Sequence, residues 1–185
     1  MKRIILLAAA ALMTLSASAQ KIGHVNFTEL VQLMPEADAA RTTLQAVSKE
    51  ADETLQSMYE EYQTKATQYQ QKSASWTPAI KEAKEKELMD IQNRLQESQQ
   101  TFQQEIQQKQ AELMAPIQEK AMDAVKEIAR TKGLTVVMDS QQAYWFDPDA
   151  TVDLTADARK ALGIPEGRTL QTLQEELQAQ QMNAR

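Results

Sequence analysis

Between residues 28 and 131 the apolar positions fall into one narrow stripe per helical segment. Leu44, Val47, Ala51, Leu55, Met58, Tyr62, Ala66 and Tyr69 recur at intervals of three and four. So do Leu88, Ile91, Leu95, Phe102, Ile106, Leu113, Ile117, Ala121, Val125 and Ile128. The positions between them carry Gln, Glu, Lys, Thr and Ser. A stripe this thin seals a coiled-coil seam but cannot cover a globular core. The pattern therefore predicts something long and slender, with function residing in that shape.

Punctuation along the chain divides the stripe. Residues 21–27 (KIGHVNF) read as a short strand burying Ile22, Val25 and Phe27, with Thr28 capping the next helix. Pro35 either kinks that helix or marks its proper start, and the helical pattern runs on to about residue 71. Residues 72–78 (KSASWTP) break it, with Thr77 as cap and Pro78 as first residue of a second helix. That helix runs to about residue 132, where Gly133 can take the left-handed conformation that ends a helix. At the usual rise the two arms are roughly 65 and 80 Å long. A short loop between long helices predicts an antiparallel hairpin, residues 28–132, with its tip at Trp76.

After Gly133 the periodicity changes. Residues 134–139 (LTVVMD) and 143–146 (AYWF) read as strands around a turn at Gln141 and Gln142. Asp147, Pro148 and Asp149 make a further turn, and residues 152–154 are extended. Thr155 is placed to cap a short helix over 156–162, stopped by Gly163 and Pro165. Residues 164–185 form a weakly helical tail, prone to fray, with Leu170, Leu173 and Leu177 on one face. The fold class is mainly α with a small β body, built from residues 20–27 and 133–163. Short strands from opposite ends of the chain must meet at the base of the hairpin, and alone they bury little. Association of several chains would complete the sheet and hide its edges.

Composition narrows the function. Lys2 and Arg3, the apolar residues 4–15 and the small-x-small triplet at 17–19 read as an export signal cleaved after Ala19. Its apolar run is too short to span a bilayer as a mature helix, a retained anchor being the alternative. Such a signal suits a bacterial envelope protein, by default one of the periplasm. No cysteine is present, so neither disulfides nor a lipid on an N-terminal Cys enter the picture. The net charge of −6 includes Lys2 and Arg3, so without them the chain sits at −8. That balance argues against nucleic acid as a partner, since phosphate binding needs clustered positive charge.

Catalytic and metal chemistry find no support. His24 is the sole histidine, and the set Asp147, Asp149 and Asp153 lacks the glycine and terminal Glu of a calcium loop. No nucleophile set or phosphate-binding glycine loop stands out, so neither an enzyme nor a cofactor is expected. The aromatic run Tyr144, Trp145 and Phe146 could be a binding patch, but it is more simply read as alternate members packing in the body, with the outward one at a subunit boundary. Around the tip Lys65, Lys72, Lys81, Lys84 and Lys86 alternate with Glu82, Glu85, Glu87 and Asp90. A tip less acidic than the shaft could meet anionic lipid head groups, but such alternation is more often a solvated face with helical ion pairs.

The two ends of the chain carry a resemblance. Residues 21–27 resemble the opening of the Skp/OmpH-like periplasmic chaperones. Residues 134–139, Ala143-Tyr144 and residues 153–157 (DLTAD) resemble that family's closing segment. The likeness covers most of residues 20–162. It implies a homotrimer whose β-rich trimerisation body joins the terminal strands of three chains. The hairpins would project as tentacles around a cavity holding unfolded outer-membrane β-barrel proteins, without ATP. Ile22, Val25, Phe27, Leu134, Val136, Val137, Met138 and Tyr144 would build the trimer body. Family members are often basic and this chain is acidic, so a lipopolysaccharide-binding site is not carried over.

A holdase needs no catalytic group, only apolar patches that touch a client weakly at many places. Candidates on the arms are Met58, Tyr59, Tyr62, Tyr69, Trp76, Ile80 and Met89. Met58, Tyr62 and Tyr69 lie on the stripe and are more simply read as filling the seam. Tyr59 and Trp76 lie off it and are the better contact candidates. The competing reading is a structural spacer or scaffold of the cell envelope that uses the same rods to bridge fixed partners.

Overall fold

The computed structural model describes residues 21–183. The expected export signal and its cleavage site lie outside these residues. Among the described residues ten elements of regular structure succeed one another, and the chain divides into two compact units. One runs up to Pro35 and resumes at Gln118. The other is Glu36–Ile117.

In the first unit, strand β1 (Ile22–Val25) leads into helix α1 (Phe27–Leu33). Phe27 therefore opens a helix and does not close the strand. The cap is Asn26, upstream of the expected Thr28. Its Oδ1 accepts the Glu29 amide at 3.1 Å while its Nδ2 donates to the Glu29 carboxylate at 2.9 Å. Met34 is extended (φ −61°, ψ 141°), as befits a residue before proline, and Pro35 starts the next helix afresh. Pro35 is thus a boundary, not a kink.

Helix α2 (Pro35–Lys72) and helix α3 (Pro78–Thr131) form the hairpin of the second unit, joined by a 3-10 turn at Ser73–Ser75. Thr77 caps α3, its Oγ1 taking the Ile80 amide at 3.4 Å. The last fourteen residues of α3, from Gln118, belong to the first unit. Gly133 (φ 64°) then ends the helix as expected. The Leu134 amide reaches back to the Ala129 carbonyl at 2.9 Å and that of Gly133 to the Arg130 carbonyl at 3.0 Å.

Strand β2 is Val136–Asp139 and strand β3 is Thr151–Asp153. The sheet has the order β2-β1-β3, so the N-terminal strand is central, and both pairings are parallel. His24 lies opposite Met138 on one side and Asp153 on the other. Gly23 has no room for a side chain, because a Cβ there would stand 2.7 Å from a Leu134 methyl.

The expected strand over residues 143–146 does not form. Asp139 instead caps a 3-10 turn, Ser140–Gln142, by accepting the Gln141 amide at 3.0 Å. Both edges of β1 are taken by β2 and β3, and Tyr144, Trp145 and Phe146 pair with neither of these outer strands. Only Phe146 packs, stacked on the His24 ring at 4.2 Å between centroids. Tyr144 and Trp145 point into solvent.

Helix α4 (Thr155–Ala161) starts at Thr155, whose hydroxyl accepts the Asn26 amide at 3.3 Å and so serves a neighbour instead of its own helix. The tail contains a further helix, α5 (Leu170–Asn183), and α1 packs against both α4 and α5. Leu30, Leu33, Met34 and Leu154 are fully enclosed, and Ala158, Leu162, Ile164 and Leu173 are buried too. This small core belongs to the first unit.

Candidate functional site

The hairpin unit shows what a thin stripe can and cannot cover. Only Ala37, Ala40, Ala51, Ile91 and Ile117 are buried in it. Leu44, Val47, Leu55, Met58, Tyr62, Leu88, Leu95, Phe102 and Ile106 are half-buried, because a seam between two helices shields each side chain on one flank only. A small cavity of about 180 Å³ opens in the seam beside Val47, Ala51, Phe102 and Ile106.

Polar side chains stitch the seam where apolar ones leave it open. Gln92 Nε2 donates to the Tyr62 hydroxyl at 2.7 Å, and the Tyr69 hydroxyl donates to the Glu85 carboxylate. That bond raises the Tyr69 pKa from its ordinary value. Arg94 lies 3.8 Å from Glu61, and Lys65 pairs with Glu87, which also takes Lys84 at 2.7 Å. The bond from Lys65, followed by that from Lys84, draws the Glu87 carboxyl down to about 2. The charge alternation near the tip is therefore more than a series of pairs within one helix. Its Lys65–Glu87 pair, like the Arg94–Glu61 pair beyond it, crosses from arm to arm.

The arm candidates separate on this geometry. Met58, Tyr62 and Tyr69 are half-buried in the seam. Trp76 is half-buried as well, edge-on to Tyr69 at 5.7 Å and 70°, so it closes the end of the hairpin instead of standing free. Tyr59, Ile80 and Met89 are exposed, at 50%, 44% and 61%. Among these arm candidates they are the apolar side chains most open to contact.

The first unit offers a second apolar surface. A groove of about 560 Å³ lies along β2, lined by Phe27, Met122, Val125, Leu134, Val136 and Met138 among others. Met122, Val136 and Met138 are exposed. Strand β2 lies at the edge of the sheet, and among the described residues no strand pairs with its outer side. Of the eight body residues expected from the sequence, Val25 is buried and Ile22, Phe27, Leu134 and Val137 are half-buried. Val136, Met138 and Tyr144 are exposed, and Tyr144 lies outside the sheet. Met122 escaped the sequence reading because it lies off the helical stripe.

Residues 21–162 match the family described as Outer membrane protein (OmpH-like). The chain belongs to the OmpH-like family. Chaperone protein Skp of Yersinia enterocolitica is 30% identical over 145 residues, spanning 78% of this chain and 87% of that protein. Chaperone protein Skp of Pectobacterium atrosepticum is 29% identical over 143 residues, 77% of this chain and 86% of that one. A crystal structure of an OmpH-like outer membrane chaperone from Caulobacter crescentus superposes with a TM-score of 0.69. It covers 80% of this chain and 86% of that one at 14% identity. At that identity the likeness speaks for the fold, a helical hairpin with a small sheet. OmpH-like membership makes this chain a relative of chaperones. Among the described residues no helix is long and apolar enough to cross a membrane.

Proposed function

We propose that the chain is an ATP-independent periplasmic holdase that keeps unfolded outer-membrane β-barrel proteins from aggregating. The half-covered seam carries the reading. A hairpin that leaves Tyr59, Ile80 and Met89 in solvent, and most of its stripe half-open, offers many weak apolar contacts spaced along two helices. Many weak contacts capture a flexible chain tightly while each stays reversible. The family and the Skp relatives point to the same activity.

In this scheme three copies join through the unpaired edge of β2 and the groove beside it, and the client sits between their arms. Completing the sheet with neighbouring chains would cover Val136 and Met138 and satisfy the edge backbone. The deciding experiment adds the purified protein to a urea-denatured β-barrel protein on dilution and monitors light scattering. A holdase suppresses aggregation at one trimer per client without nucleotide. Unchanged scattering with an intact, correctly folded protein overturns the proposal. Sedimentation at the same concentration reports the copy number.

A further inference from the structure

The family match ends at Leu162, one residue before the chain turns at Gly163 (φ 67°). The segment beyond that turn is built into the first unit by a series of specific links. The Ile164 amide reaches the Arg159 carbonyl at 2.9 Å and that of Gly163 the Lys160 carbonyl at 3.2 Å, and Ile164 is buried as the turn delivers it. Thr169 and Thr172 cap α5 reciprocally, the Thr172 amide donating to Thr169 Oγ1 at 3.1 Å and the Thr169 amide to Thr172 Oγ1 at 2.9 Å. Arg168 lies 3.7 Å from Glu176, Leu173 of α5 is buried, and α5 packs against α1.

Arg159 ties these parts together. Its Nη1 donates to Glu29 of α1 at 2.9 Å, and its Nη2 donates to the carbonyls of Pro165, at 3.2 Å, and Arg168. One planar fork thereby spans α4, α1 and the segment entering α5. A lysine cannot reproduce this, since its single nitrogen has no such fixed geometry. Glu29 is the same side chain that closes the Asn26 cap, and Asn26 is the residue at which the chain leaves the central strand.

We infer that residues 163–183 form a C-terminal strap that holds α1 in place through Arg159 and Leu173, and so fixes the direction in which the chain leaves β1. The tail expected to fray is thus part of the body's support. The strap does not depend on the holdase reading, because its contacts lie within one chain.

Hydrogen exchange on the full-length chain tests it. Leu173→Glu places a charge at a buried position of α5. Amides of α1 should then exchange at least about tenfold faster while those in the middle of the hairpin keep their wild-type rates. Arg159→Lys should loosen α1 in the same selective way, by a smaller factor. Gln178→Ala, on the exposed face of α5, should change nothing. If Leu173→Glu abolishes folding, Leu173→Ala takes its place with the same selectivity expected. Fraying of α5 with α1 unchanged, or equal loosening of α1 and hairpin, overturns the strap.

Discussion

Lys65 on α2 and Glu87 on α3 form an ion pair across the hairpin, with Lys84 closing on Glu87 from within α3. Both flanking lysines favour the charged carboxylate, which draws its pKa down to about 2 from the usual 4.5. A group whose folded pKa is depressed stabilises the fold above its unfolded value and loses that contribution as pH falls through its folded value. The thermal midpoint of the hairpin should therefore fall between pH 4.5 and about 2, by a small amount because the pair is solvent-exposed. Glu87→Gln should remove part of that slope in circular-dichroism melts recorded across the range, while leaving the profile above about pH 5 flat. A slope identical in both proteins would assign it to other carboxylates.

Gly23 occupies the middle strand with a Leu134 methyl where its side chain would be. Gly23→Ala should destabilise the first unit by about 1–2 kcal/mol, the cost of overpacking a site whose neighbour is the flexible end of a leucine. Gly23→Val should cost more, since the Cβ alone already stands 3.4 Å from the Val152 carbonyl and a Leu154 methyl and two further methyls must fit beyond it. Urea titration read by hydrogen exchange in β1 measures both.

Tyr59 and Met89 are exposed on the arms and make no contribution to the seam comparable to that of Ile91. Replacing both with Ser and Gln should leave the melting temperature within a degree or two and weaken client capture by about two- to fivefold, as loss of a few weak apolar contacts does. Light scattering of the diluted client against chaperone concentration gives the factor. Ile91→Ala is the counterpart. It empties a buried seam position, so it should lower stability by about 2–3 kcal/mol.

Val136 and Met138 face solvent on the edge strand beside the groove. Changing both to Lys places charge on the proposed subunit contact without entering a buried site. The variant should sediment as a monomer with an unaltered helical spectrum. An unchanged copy number would remove this edge from the assembly.

Much of the hairpin was legible because helix punctuation is local. Thr77 and Pro78 start α3, and Gly133 ends it, through backbone geometry set within a few residues. The arm candidates sorted less well. Trp76 reads as a free tip residue, yet it packs on Tyr69, a partner seven residues away that only the 3-10 turn brings to it. The α2–α3 links Lys65–Glu87 and Gln92–Tyr62 depend on the register of one arm on the other, which a one-helix pattern does not carry.

The chain ends were the hard part. β-branched and aromatic runs announce strands, and Tyr144, Trp145 and Phe146 announce one as strongly as Val136 and Val137 do. A strand nevertheless exists only where the fold brings the segment alongside another strand. The strands β2 and β3 flank β1, whereas the aromatic run is brought alongside none of the three and is left as a loop anchored by Phe146 on His24. The sequence alone determined the long helices, their breaks and the need for polar cover along their open faces, since these come from periodicity and local steric rules. Only the tertiary structure decided the parallel pairing of β1, the retreat of Phe27 into a helix and the docking of α5, because each depends on which distant residues arrive to share a surface.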